Sequence, residues 1–377
     1  MKTAFGKKEG ITALISASTA QIFLNMPRIV AEKAGTAGWI LIIYVSALSS
    51  LVFFILTKLY KNFQGKDLID LAQESLGNPG RIISGILYFV LWIFVVSLIL
   101  RQFAENFKII SLNNSPITYV IPFLIAGIVA AAYKGIEALA RVAALCVPII
   151  IGALLLILVS SVPDCEFGYI FPILGNGPKA IFLEGLPLVS LYLGIPLLFF
   201  FAPFLQSYKI VKKTGITTLL LTFTLFFLVT IVYQMVYPYP TSTENFLPVY
   251  QLATNISLGR FFERFEAVFI LVWGMTAFLH MSLLTVVSLQ ILQKTLKLNS
   301  YKPMIPSLAV ILFFLSLLSP SLKATIDLEV KLVRTYGLPI SGGLALLILI
   351  AANIRKKKNV SNITKRNTGG GLNGKNN

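Results

Sequence analysis

The sequence predicts an all-α polytopic membrane protein of about ten transmembrane helices. They fall into a 5+5 inverted repeat whose first and sixth helices are broken. Three observations predict this. The 377 residues are 56% hydrophobic and only 12% charged, whereas a soluble domain carries about 25% charged residues; mean hydropathy is +0.82. Apolar runs long enough to cross a bilayer, about 20 residues each, recur from end to end. Prolines and small polar residues interrupt these runs at corresponding places in the two halves, the sequence sign of a repeat with a midplane site.

Ten spans can be drawn, at 10–31, 38–58, 81–107, 116–133, 141–162, 179–205, 214–237, 262–292, 303–320 and 330–354. Residues 1–9 precede them, a basic tail of 355–377 follows, and the halves run 10–162 and 179–354. An odd number of spans per half forces the halves into opposite orientations. The first span carries Ser16, Ser18, Thr19, Gln21 and Asn25 at membrane depth, and Pro27 removes a backbone donor. Such a span is tolerated where it is buried in protein or lines a wet cavity. It is therefore either a kinked helix packed on its neighbours or a discontinuous helix whose freed groups hold a ligand. Lacking a small-residue cleavage site, it is not expected to be a cleaved signal peptide.

After the second span, Asp67–Leu76 has apolar residues at helical spacing and is stopped by Gly77-Asn78-Pro79-Gly80. This predicts a short helix on the membrane surface. In the third span Tyr88, Leu91, Trp92 and Val95 form one stripe, which serves packing or faces a pocket. Arg101 and Glu105, spaced i, i+4, are expected to pair at the water interface. Glu137 and Arg141 repeat that spacing before the fifth span, and Glu263, Arg264 and Glu266 are expected to form an interfacial cluster at the eighth. The sixth span is punctuated by Pro187, Gly194, Pro196 and Pro203, with Ser190 and Tyr192 between them. Pro148 and Pro339 interrupt the fifth span of each half. The eighth span holds the one histidine, His280, on a face shared with Trp273 and Thr276. It either meets a ligand or is satisfied by a neighbouring carbonyl.

The net charge of +17 is a topology signal. With the N-terminus cytoplasmic, roughly 22 of the 32 Lys and Arg fall on inner segments, as the positive-inside rule expects. Both termini are thus expected in the cytoplasm. No nucleic-acid module carries the charge, so nucleic acid is not an expected partner; the membrane lipid is. The Asn/Gly/Lys-rich tail Asn359–Asn377 is expected to be disordered. Cys146 and Cys165 make no disulfide or metal framework. There is no His cluster and no phosphate loop, so no metal, no cofactor and no enzymatic activity are expected.

Several short motifs carry a resemblance. They are Met26-Pro27-Arg28, Gly38-Trp39-Ile40, Arg101-Gln-Phe-Ala-Glu105, Ser115-Pro116-Ile117, Gly135-Ile136-Glu137 with Arg141, and Phe262-Glu263-Arg264-Phe265-Glu266 followed by Trp273. Over residues 5–355 the chain resembles the spore germination permease family, the B subunits of nutrient germinant receptors, within the amino acid–polyamine–organocation superfamily. The resemblance implies a nutrient-sensing subunit in the spore inner membrane, partnered by other receptor subunits. It would bind a small germinant, such as an amino acid, at a midplane site. A proton-coupled amino-acid permease is the second function it implies. The expected ligand-binding residues are Ala20, Gln21, Ile22 and Asn25 of the first span, Leu91 and Val95 of the third, Ser190, Tyr192 and Gly194 of the sixth, and Thr276 and His280 of the eighth. Two positions depart from the family. Its Gly-x-Gly break is replaced by Ala20, Gln21 and Ile22, and Gly194 is followed by Ile195 and Pro196 rather than an acid.

Overall fold

A computed structural model describes residues 6–112, 114–205, 207–256 and 265–369, the side chains of 265 and 359–369 excepted. All regular structure among them is helical: α1 (Lys7–Phe23), α2 (Met26–Ala34), α3 (Gly38–Tyr60), α4 (Leu68–Ser111), α5 (Ile117–Ser160), α6 (Gly194–Phe201), α7 (Tyr208–Val236), α8 (Pro248–Asn255), α9 (Phe265–Leu296), α10 (Ile305–Leu317), α11 (Leu322–Leu328) and α12 (Thr335–Gly369). Seven helical stretches among the described residues are long and apolar enough to cross a membrane.

That count is smaller than ten because chemistry at single residues joins or divides the spans. A straight 44-residue helix would be about 66 Å long, twice the hydrocarbon core, so α4 and α5 cannot each be one crossing. Each bends at a glycine with left-handed backbone, Gly77 (φ 75°) and Gly135 (φ 84°), a conformation that costs glycine nothing. Gly77 thus separates the expected surface helix from the third span, and Gly135 separates the fourth from the fifth. Asp67 starts the surface helix with a capping box, its carboxylate accepting from the N–H groups of Ile69 and Asp70.

The first span breaks as its proline requires. α1 ends at Phe23 and α2 begins at Met26, with Pro27 inside its first turn. The sixth span is irregular over most of its length. A π turn spans Ala180–Glu184, a 3-10 segment spans Leu186–Tyr192, and α-helix follows from Gly194.

α1 is buried from Thr12 through Phe23, and α9 is nearly as enclosed. Helices enclosed on every side form the middle of the bundle, and the hydroxyls of α1 are satisfied on its own backbone, as Ser16 is by Ala13 and Thr19 by Ile15. α1 packs on α7, α5 and α9, and α9 on α4 and α5. Outside that centre, leucines, isoleucines and phenylalanines such as Phe123, Leu145 and Leu347 stand exposed, as expected of a lipid-facing surface.

Three expectations need correction. The last span begins at Leu322, not near 330, and includes a π turn, Glu329–Arg334. The helix also runs on to Gly369, beyond the expected start of a disordered tail at Asn359; Arg355, Lys356, Lys357 and Lys358 are good helix formers and carry the apolar helix as far as that start. Arg101 is buried rather than at the surface, held at 2.7 Å by Glu105 and at 3.4 Å by the Pro320 carbonyl. Glu137 and Arg141 pair at 2.5 Å on an exposed face, as their spacing predicts. Of the cluster expected before the eighth span, residues 262–264 lie outside the described residues, as does 370–377 of the tail.

Candidate functional site

A chain of buried polar side chains crosses the bundle at the break of the first span. Asn25 donates to Gln102 Oε1 at 3.4 Å, and Gln102 Nε2 donates to Glu329 Oε2 at 2.7 Å. Glu329 Oε1 pairs with Arg334 Nη2 at 2.5 Å, and the same guanidinium nitrogen donates to Gln21 Oε1. All five residues are under a tenth exposed. They come from α1 and the loop after it, from α4, and from the π turn of the last span.

Local structure dictates this meeting. Asn25 is a residue type that ordinarily caps a helix, but no cap hydrogen bond forms; its carboxamide is used on Gln102 instead. Glu329 and Arg334 are five residues apart. On an α-helix they would diverge by about 140°, too far to pair. The π turn closes i→i+5 bonds and brings such positions onto one side. Thr335 Oγ1, bonded to the Val330 carbonyl at 3.4 Å, follows the same five-residue spacing.

The electrostatics follow from burial. An unpaired guanidinium in this interior would cost several kcal/mol, and each charge persists because the other neutralises it. His280 stands on α9 within electrostatic reach of Arg334. It is 4% exposed, and neither ring nitrogen has a protein hydrogen-bond partner. Asn25 Oδ1, Trp92 Nε1 and Trp273 Nε1 are also buried without one. Each such atom costs about 1–3 kcal/mol; Asn25 Oδ1, within the network itself, is one able to receive a polar ligand or water.

The expected site residues divide among four environments. Gln21 and Asn25 are members of the network, and His280 lies within electrostatic reach of its Arg334. Ala20 and Ile22 are buried beside Gln21. Gly194 and Tyr192 meet Ser18 of α1 around a small cavity of about 20 Å³, so the two broken spans do come together. The Tyr192 hydroxyl is committed to Ser46 at 2.6 Å. Ser190 bonds the Pro187 carbonyl at 2.7 Å and lines a different, larger cavity. Thr276 is satisfied on its own helix by Val272 at 2.7 Å, and Leu91 and Val95 pack in or against the apolar core.

Gln102, Glu329 and Arg334 were not among the expected residues. Ionisable residues inside a span default to a functional reading. Glu329 and Arg334 escaped it because the last span was drawn from 330, which put both at an interface.

Comparisons with known proteins agree with this architecture. The family described as "Spore germination protein" matches residues 7–325. Spore germination protein A2 of Bacillus subtilis (strain 168) is 24% identical over 312 residues, 82% of this chain and 85% of that protein. Among solved structures, Mhp1, a nucleobase-cation-symport-1 family transporter in a closed conformation with bromovinylhydantoin bound, superposes with a TM-score of 0.66. It is 12% identical, over 91% of this chain and 78% of that one. MhsT in complex with L-phenylalanine gives a TM-score of 0.64 at 12% identity, covering 94% and 98%.

Proposed function

Because the chain belongs to the spore germination protein family, we propose that it is the nutrient-sensing membrane subunit of a spore germinant receptor. In this reading it binds a small germinant, such as an amino acid, beside the broken first span and so biases a conformational equilibrium that triggers germination. It sits in the spore inner membrane with both termini in the cytoplasm, contacts other receptor subunits and is not an enzyme. The observation that carries the reading is the buried network from Asn25 to Arg334, bordered by the unpartnered imidazole of His280. The network is closely packed, so a ligand would enter by opening the bundle, and its contacts would have to favour the open or the closed state to act as a signal.

A proton-coupled amino-acid permease is the second reading, supported by the transporter-like fold and by a buried acid, Glu329. Binding of an amino-acid panel to the purified protein, together with uptake by the protein alone in vesicles, separates the two. Tight binding with no accumulation supports the sensor; robust accumulation supports the permease; no binding across the panel contradicts both. Orientation has its own test. Cys165 lies in the connection 163–178, half-buried, its thiol pushed up by burial and by Asp164. An impermeant thiol reagent at alkaline pH should label it in intact cells and spare Cys146; labelling of Cys165 only after permeabilisation would reverse the topology.

A further inference from the structure

A cavity of about 600 Å³ lies between α3, the irregular sixth span and the last helix, within the ordinary 300–1,000 Å³ of a ligand site. Its mouth is framed by Leu51, Leu183 and Leu186, all exposed on the surface that faces lipid. Its walls are almost entirely hydrocarbon. Of its polar residues, Ser190 and Thr335 have their hydroxyls bonded to backbone carbonyls. Arg334 differs. It is 2% exposed, it lines the cavity, and its Nε has no hydrogen-bond partner.

We propose that this cavity is a lipid site: it takes one acyl chain of a bilayer glycerolipid, with the ester carbonyl accepting from the Arg334 guanidinium. Charge selects the head. Glu329 already neutralises Arg334, so a second full negative charge would be buried at a cost, whereas a neutral carbonyl takes up one of the N–H donors that the guanidinium has left beyond Nη2. Length selects the chain. From Arg334 to Leu346, both lining the cavity, twelve helical residues span about 18 Å, the reach of one extended acyl chain. Because Arg334 also holds Gln21 and Glu329, lipid occupancy would be felt by the polar network.

The test uses the full chain in lipid discs containing a glycerophospholipid with a photoreactive diazirine on one acyl chain, and maps adducts by mass spectrometry. Adducts are expected on Leu338 and Leu346. Gly343 lines the cavity and an added Cβ meets no atom within 4 Å, so Gly343→Ala should leave those adducts intact. Gly343→Phe should abolish them while leaving adducts on the outward-facing Leu145 of α5 unchanged. Arg334→Lys keeps a charge for Glu329 but loses the planar fork of spare donors, and should lower the Leu338 and Leu346 adducts about tenfold, the loss of one hydrogen bond to a charged donor. Undiminished cavity adducts in Gly343→Phe, or in a folded Arg334→Lys, would overturn the proposal. So would protection of these positions by soluble amino acids instead of by excess unlabelled lipid.

Discussion

Two ion-pair clusters tie distant helices together, and they differ in where water can reach. Inside the membrane, Arg334 and Glu329 pair at 2.5 Å with side chains 2% and 4% exposed. At the membrane edge, Lys294 of α9 bridges Asp67 at 2.5 Å and Asp70 at 2.7 Å, the lysine 40% exposed. The first joins the π turn to α1 and α4 through Gln21 and Gln102; the second joins the start of α4 to α9. The inner pair has no solvent to fall back on, so each charge depends wholly on the other. The outer cluster keeps a hydrated lysine and a half-open aspartate, and solvent takes up much of any loss. The same contact is thus structural glue at the edge and a high-stakes switch point in the centre.

Removing one partner from each cluster should expose that difference. Glu329→Ala leaves Arg334 uncompensated and should cost about 3–5 kcal/mol, read as loss of monodisperse protein and a lowered Tm in detergent. The double variant Glu329→Leu with Arg334→Met should recover most of the loss, because an apolar pair of similar bulk needs no compensation. A Glu329→Ala protein as stable as wild type would contradict the burial argument. Lys294→Ala should cost only about 1 kcal/mol, and a loss matching that of Glu329→Ala would erase the distinction between the two regions.

A smaller effect sharpens the comparison through pH. Burial pushes Asp67 up to about 6 from the usual carboxylate range, against the pull of Lys294. A carboxyl whose folded pKa lies above its unfolded value of 3.8 adds stability below that value and loses it as pH rises through about 6. Asp67→Asn cannot ionise and still caps its helix. The Tm of wild type relative to Asp67→Asn should therefore fall between pH 5 and pH 7; a constant difference across that range would mean Asp67 stays ionised throughout.

The fold was largely legible because lipid imposes long apolar runs and tolerates breaks only where they are buried. Pro27 and Gly77 mark their breaks openly. What the sequence concealed follows from the same physics. The register change at Glu329–Arg334 has no sequence signature comparable to a proline, so a pair five residues apart did not read as a pair. Gln21, at the middle position of the family's Gly-x-Gly break, accepts from Arg334, a partner 313 residues away that no local pattern could reveal. Thr276 shares a helical face with His280, and Tyr192 lies between the breaks of the sixth span. Their hydroxyls are spoken for by Val272 and Ser46, which composition cannot show.

We propose that a germinant binds at the network that joins Gln21, Asn25 and Arg334, within electrostatic reach of the unpartnered His280. The most direct measurement is the affinity of the best ligand from an amino-acid panel for wild type, His280→Leu and Gln21→Leu, each at matched folded yield. Both variants remove a polar group while keeping bulk, and both should weaken binding by about 1–3 kcal/mol; Glu137→Gln, on an exposed face, should leave it unchanged. Wild-type affinity in both His280→Leu and Gln21→Leu would contradict the site, and the broken first span would then be a structural kink.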